Sequence, residues 1–594
     1  MSETLHSESA SNPVRSDAKK ILAASTLPEP AKDMIAQVVR RTRLWRREKA
    51  AVASELVAHF EDGLEAGRSA DDLLASFGEV KTTARLIRRG KVRNRPLWWR
   101  VQRRMCQTFI AFVLLYIGAA GLMILRHPSP SVDYVAELNR PILATPPADR
   151  AWPIYRDALT KARMWELNED VLYLDGKGRS LHPGDAGWPA TVAFLRQQKP
   201  LLDAVRAAGL KPSLGQELRS GGIAAMSLED RAAFGRSALL SQAAPTSRAD
   251  RLLKESLLSV VMPPLAHMRA MANLVASDMS LAASEDDADR VLADYRALTG
   301  MARQTSETPI LINHLVGLGI FSLADETLMQ INHSTPASLG RCRVELLHLM
   351  ASAEPVFKMD STGQRMYLMD IIQRVYSDNG HGDGSPTIDG LEVLTRLSLF
   401  NLESDGARAE AVRVLAIPAA VAAMASRREL TEQADRIYAL GERDAARPLW
   451  VKLHSPASAD ALLIEWRLSP AKEIRYGMLT KLLPSLNRIG ETVDRVQALH
   501  EAIMVALALE AYRHKTGQYP ATLSALVPHY LPMMPLDYST GGPLQYKLVA
   551  GKPLLYGLGK NGVDDGGVWP DKKAYWPGVP YTGDWVLYPP VETE

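Results

Sequence analysis

"MCQTFIAFVLLYIGAAGLMILR", Met105 to Arg126, decides how the rest of the chain is read. Its eighteen residues from Thr108 to Leu125 carry no charge, which is close to the length that crosses a hydrocarbon core of about 30 Å. A buried helix of a soluble domain is the competing reading, and the flanks decide against it. Upstream lie Arg88, Arg89, Lys91, Arg93, Arg95, Arg100, Arg103 and Arg104, with no acid after Glu79 and with Trp98 and Trp99 among them. Downstream, Arg126, Arg140 and Arg150 are matched by Asp133, Glu137 and Asp149. Cationic residues stay on the cytoplasmic side of a span and tryptophans settle at its interface. The expectation is a transmembrane helix over 105–126, preceded by a basic juxtamembrane segment over 93–104. The N-terminus is then cytoplasmic and the bulk extracytoplasmic, with the lipid bilayer as the first partner. Gly118, Ala119, Ala120 and Gly121 offer a small-residue face to a homodimer, although the spacing is not Gly-x-x-x-Gly.

The bulk composition is that of a folded chain of several domains: 594 residues, 46% hydrophobic, 23% charged, net +3. The charge balance gives no argument for nucleic acid, and the basic run beside the span is explained by topology and anionic lipid. Two cysteines, Cys106 and Cys342, make no disulfide framework. Residues 1–29 begin polar and serine-rich, without the apolar stretch of a secretory signal, and are expected to form a disordered leader.

Residues 30–92 carry helical periodicity punctuated by turn residues. Val52, Leu56 and Phe60 share one face; Gly63 and Gly67 end that helix. Ser69 caps the next, with Asp71 and Asp72 in its first turn and Leu73, Leu74 and Phe77 on its apolar side. Gly78 then precedes a basic helix with Val80, Ala84, Leu86 and Ile87. Glu55-Leu-Val-Ala-His59-Phe-Glu-Asp62, Gly67-Arg-Ser69 and Phe77-Gly78-Glu-Val together resemble the HAAS-type signalling or prefix domain found at the cytoplasmic end of bacterial membrane proteins. The resemblance implies a helical interaction module with a cytoplasmic protein partner, in the bacterial inner membrane, and no catalytic residue.

From 127 to 490 the chain alternates apolar-periodic stretches with short polar breaks, rich in Leu, Ala, Met and Arg, which predicts an irregular stack of helical hairpins. "SEDDADRVLADYRALTGMAR", Ser284 to Arg303, resembles one arm of a tetratricopeptide-like hairpin, but no 34-residue period recurs. "PPADRAWPIYRDAL", Pro146 to Leu159, is similar to an opening of large membrane-anchored proteins of planctomycete-type bacteria. One loop, "YSDNGHGDGSPTIDGLE" from Tyr376 to Glu392, has a cation-loop rhythm at Asn379, His381 and Asp383 followed by Gly384. Gly390 stands where a bidentate glutamate belongs, so a plain surface turn competes with a calcium site at Asn379 and Asp383. No Gly-x-Ser-x-Gly, His-Glu-x-x-His, Walker or Cys-x-x-Cys pattern occurs; His500-Glu501 lacks the second histidine.

Residues 491–594 form a tail of different character. A helix with the apolar centre Ile503 to Leu509 runs into Tyr512 and the turn Gly517-Gln-Tyr519-Pro520. A short helix near Leu523–Leu526 and the step Pro535-Leu-Asp537 lead to strands over 544–549 and 553–557 joined at Ala550-Gly551-Lys552. Gly557-x-Gly559-x-x-Gly562 matches a dinucleotide fingerprint, but glycines and Pro570 follow where a helix is needed, so these are turn glycines. The order of helix, "AYxxxxGxYP" turn, Pro-x-Asp step, hairpin and Asp-rich loop resembles the globular part of type II secretion major pseudopilins. The tail departs from them in lacking an N-terminal membrane helix of its own and in reading Asp537-Tyr-Ser-Thr-Gly. The resemblance implies an α+β module with calcium held by Asn561, Asp564 and Asp565, with Asp584 returning near them.

The fold expected is therefore mainly α: a small helical head, one membrane helix, a large helical domain and a pseudopilin-like α+β end. The function expected is non-catalytic, a scaffold or a signalling link between an extracytoplasmic protein and a cytoplasmic partner. A membrane-anchored hydrolase or ligand-binding protein with its site in the helical middle is the alternative.

Overall fold

Ser69 accepts the amide of Asp72 at 3.2 Å and starts a helix where the sequence places one; Gly78, at φ +79°, stops it. In the computed structural model this helix is α4 of a head built from α1 (Ala18–Ala24), α2 (Glu29–Arg41), α3 (Arg46–Glu65), α4 (Ala70–Phe77) and α5 (Val80–Arg93). The structure describes residues 18–93, 95, 97–162, 181–234, 245–260, 264–334, 336–352, 358, 360–398, 419, 421–455, 458–483, 486–568 and 583–589. The head core gathers Leu22, Leu27, Ile35, Val39, Val52, Val57, Phe60 and Leu73. Gly63 lies inside α3 because Leu73 packs where a Cβ would stand, 2.7 Å away.

One expectation for this region is corrected. Residues 18–29 are not leader: Leu22 and Leu27 are buried in the head core, so α1 exists because its apolar residues have a surface to cover. Of the apolar residues of α5, Ala84 is buried and Leu86 is 61% exposed. Residues 1–17 lie outside the described set.

α6 (Leu97–Leu125) is a 29-residue helix, about 43 Å long at roughly 1.5 Å per residue. Its segment Val101–Leu125 is long and apolar enough to cross a membrane. Phe109, Ile110, Phe112, Leu114, Leu115 and Ile117 on it are exposed. The chain divides at Gly118/Ala119 into two units.

The second unit is mainly helical. Helices Pro264–Ser284, Ala288–Ser306 and Leu311–Ser334 pack side by side, with Asp287 capping the second through the amide of Arg290 at 3.1 Å. Their core contains Met271, Val275, Tyr295, Leu298, Phe321 and Leu328. A separate core holds Met123, Ile371, Val375, Tyr376, Leu394, Ile437, Trp466 and Leu479.

The tail helix spans Leu486–Thr516 and the small sheet has the order β1-β2-β3, all antiparallel: β1 Gln545–Val549, β2 Lys552–Gly557, β3 Trp585–Tyr588. Val549 pairs with Lys552, so Ala550 and Gly551 form the turn alone, both at positive φ (50° and 78°), as a two-residue hairpin connection requires. β3 is a strand that periodicity leaves unassigned, since four residues are too few to show alternation. The division at 490/491 is also corrected. Ile503, Leu507, Leu555 and Leu587 share one core with Tyr295 and Phe321, so the tail completes the helical domain rather than standing beside it.

Candidate functional site

The loop after Val375 closes on itself. Tyr376 bridges Pro386, and the Ser377 amide donates to Ser385 O at 3.0 Å. Inside this neck, Asn379 Oδ1 accepts the amides of His381 (2.9 Å) and Asp383 (3.3 Å). Asp378 Oδ1 accepts Gly380 N at 2.8 Å, and its Oδ2 takes Arg427 Nη1 at 2.8 Å. Asp383 Oδ1 accepts Gly384 N (2.8 Å) and Arg428 N (3.2 Å). Hydrogen bonds from Gly380 to Asp378, and from Arg428 to Asp383, hold both carboxyls below the usual range. Asn379 thus turns its side-chain oxygen to the amide two residues on, an Asx-type turn, and Asp383 turns one of its own to the amides of Gly384 and Arg428.

Asp389, in the same stretch, meets the segment that follows α6 instead. Its Oδ2 lies 3.2 Å from His127 Nδ1 and 3.4 Å from Arg248 Nε. Arg126 Nη1 donates to Ser385 Oγ at 2.7 Å, and Gln373 Oε1 accepts the amides of Ser131 (3.0 Å) and Val132 (3.1 Å). Met123, 7% exposed, is buried in the adjoining core. The chain that follows α6 is therefore held by the loop that the sequence singles out for another reason.

In the tail, Asp537 organises the step before the sheet. Its carboxylate accepts Ser539 N (2.9 Å), Thr540 Oγ1 (2.9 Å) and Leu558 N (2.9 Å), and a Cβ on Gly557 would fall 2.6 Å from its Oδ1. Gly559, Gly562, Gly566 and Gly567 all have positive φ, and no helix follows them among the described residues. The stretch is a turn, as its glycines imply. Asn561 Oδ1 accepts Val563 N at 3.1 Å, and its Nδ2 reaches Asp565 Oδ2 at 3.3 Å. Asp564 Oδ1 accepts Tyr556 OH (3.0 Å) and Gly566 N (2.9 Å); Asp584 Oδ2 accepts Gly567 N at 2.7 Å. Asn561, Asp564, Asp565 and Asp584 thus belong to one loop system. Asp584 is fully buried, with Oδ1 lacking a hydrogen-bond partner among the described residues. Among those residues no three His, Cys, Asp or Glu side chains are grouped as a metal ion needs.

Two buried polar networks escape sequence reading. Tyr295 OH donates to Asp325 Oδ1 at 2.7 Å, Asp325 Oδ2 meets His500 Nδ1 at 2.7 Å, and His500 Nε2 meets Met350 O at 2.9 Å. A carbonyl can only accept, so Nε2 carries a proton; with Nδ1 facing a carboxylate, the imidazolium form fits both contacts. Burial opposes that charge, but Asp325 outweighs it and raises the histidine pKa. The triad is enclosed, with Tyr295 and Asp325 at 0% exposure, so it has no surface through which to meet a substrate. In the second network, Arg206 joins Asp203, Asp278 and Asp294 across three helices. Burial there pushes the Asp294 carboxyl up to about 8 against the pull of Arg206. Partners separated by up to 175 positions leave no local pattern to read. A narrow cleft lined by Leu214, Glu217, Arg219, Met268, Thr308 and Asn313 has room for about one water molecule.

The N-terminal end of α6 is also fixed by side chains. Arg95 makes a bidentate pair with Glu48, Nε to Oε1 at 2.8 Å and Nη2 to Oε2 at 2.6 Å. Its guanidinium lies 4.3 Å from the ring of Trp45 and 4.2 Å from that of Trp99, and the two indoles meet edge-on at 6.0 Å. The hydrogen bonds from Arg95 keep the Glu48 carboxyl below its usual range. Trp45 and Glu48 begin α3 and Trp99 begins α6, so one planar cation joins the head to the helix. No protein-family model, curated protein or solved structure matches this chain.

Proposed function

We propose that the chain is a single-pass membrane protein of the bacterial inner membrane, with its head in the cytoplasm and its bulk outside. It acts as a non-catalytic scaffold or signalling link between an extracytoplasmic contact and a cytoplasmic protein partner. The observation that carries this reading is the fixation of one helix at each end. Arg95 holds the inner end to the head, and Arg126, His127 and Ser131 hold the outer end to residues 373–389. A helix secured by side chains at each end transmits a rotation or shift, where a flexible tether would absorb it. Dimerisation through Gly118 and Gly121, which meet nothing within 4 Å, provides the two-state element.

Fusions of alkaline phosphatase and of a fluorescent protein to each terminus test the orientation. Phosphatase activity only at the C-terminus agrees with the reading, and the reverse pattern ends it. Coupling is tested by amide exchange of α3–α5 in the full chain against Arg126→Ala/His127→Ala. A change in the head supports transmission; identical exchange removes it. A calcium ion at Asn561, Asp564, Asp565 and Asp584 belongs to the same proposal, supported by the orphaned Oδ1 of buried Asp584. Calcium should raise the melting temperature of the native chain but not of Asp584→Asn; equal behaviour removes the site.

A further inference from the structure

The corner between α2 and α3 reads Arg40-Arg41-Thr42-Arg43-Leu44-Trp45-Arg46-Arg47-Glu48-Lys49, six cations against one acid. Thr42 and Leu44 point inward and are buried, Thr42 Oγ1 donating to Val39 O at 2.6 Å. Arg40, Arg41, Arg43, Trp45, Arg46 and Arg47 are exposed. The single acid, Glu48, is already taken by Arg95. Arg40 and Arg41 complement the C-terminal end of the α2 dipole, but Arg43 and Arg47 have no such role. Arg43 holds φ +51°, a conformation that side chains rarely adopt and that glycine would take more easily.

The Arg95 clasp fixes where this corner lies. Trp45 touches Trp99, and Trp99 stands two residues before Val101, where the membrane-length segment begins. At about 1.5 Å of rise per residue, that puts Trp45 within roughly one helical turn of the membrane entry. Trp45 and Trp98 are 56% and 72% exposed, large indoles at the depth where such side chains prefer the headgroup layer. Arg103, over Trp99 at 5.5 Å, continues the cationic surface down the helix. An apolar-edged, strongly cationic face at that level is chemically complementary to a sheet of anionic headgroups.

We propose that the Arg40–Lys49 corner docks the head onto anionic phospholipid headgroups of the inner leaflet, with Trp45 inserted beside Trp98 and Trp99. The inference rests on the reading that Val101–Leu125 crosses the membrane. It makes the head's exposure to a cytoplasmic partner depend on lipid charge, because a docked corner and a released one present different faces.

The test uses the full chain in nanodiscs of phosphatidylcholine, with or without phosphatidylglycerol, and follows amide exchange over residues 40–49. Exchange should slow several-fold in the anionic discs. The protection should vanish in 1 M salt, where the Debye length is about 3 Å, and in Arg41→Glu/Arg47→Glu, whose changes touch no core residue. Equal exchange in both discs, with the chain in the disc, overturns the lipid proposal alone. A chain that stays soluble without disc or detergent overturns the spanning reading and this proposal with it. Protection by a DNA duplex in phosphatidylcholine discs, with none from phosphatidylglycerol, gives the surface to nucleic acid and ends the lipid proposal.

Discussion

Arg95 concentrates several interactions on one side chain, and its replacement should separate them. The bidentate pair with Glu48 needs the planar fork, and stacking on two indoles needs the guanidinium face. Arg95→Lys keeps the charge and loses both geometries, so it should behave nearly as Arg95→Ala. Each should loosen the join by about 1–3 kcal/mol, read as faster amide exchange over residues 93–99. A lysine variant indistinguishable from the native protein would show that charge alone fastens the head. His500 makes the complementary point about burial. Its pKa is raised in the folded state by Asp325, so its contribution is complete below the ordinary histidine value of about 6.5. It is lost as pH rises through the raised value. The stability difference between the native chain and His500→Gln should therefore shrink from mildly acidic to alkaline pH. Followed by thermal melts, a difference that grows with pH would contradict the charged pair. Sequence reading treats His500 only as part of a failed zinc motif, because Tyr295 and Asp325 come to it from other helices.

At the scale of elements, close crossings are set by glycines that a periodicity argument passes over. Helices Lys199–Gly209 and Ala288–Ser306 meet at Gly209 and Gly300, where a Cβ on Gly300 would stand 1.9 Å from Gly209 O. Gly300→Ala should cost about 1–3 kcal/mol or more by forcing the pair apart. Gly319, an exposed position of Leu311–Ser334 with nothing within 4 Å of a Cβ there, supplies the contrast. There alanine should gain up to about 1 kcal/mol of helix stability. Denaturant midpoints shifting in opposite directions would bear out both. Helix existence was legible from Leu, Ala and Met periodicity, and Ser69 was legible as an entry because capping is local chemistry. The short strand β3 was not legible, nor was α1, since both depend on surfaces supplied from elsewhere.

For the whole molecule, the tail has to be counted with the helical domain. Ile503, Val505, Leu507 and Leu509 are all fully buried, and burying each contributes about 1.5–3 kcal/mol. Together they rival the net stability of about 5–15 kcal/mol typical of a folded domain. A chain ending at residue 490 should be cleaved faster by protease within residues 127–489 than the full chain, whereas a self-sufficient tail module would leave that rate unchanged. The sequence by itself determined the membrane-length helix, its cationic flank and the mainly helical character, because hydrophobicity, charge and helical period are written in neighbouring residues. Only the tertiary structure decided that the Asp-rich loop at 376–392 seats the helix end. The same holds for Trp45 reaching Trp99 through Arg95, and for the tail and middle sharing one core. Those outcomes depend on which distant side chains meet, and chain order carries no distance between residues far apart in it.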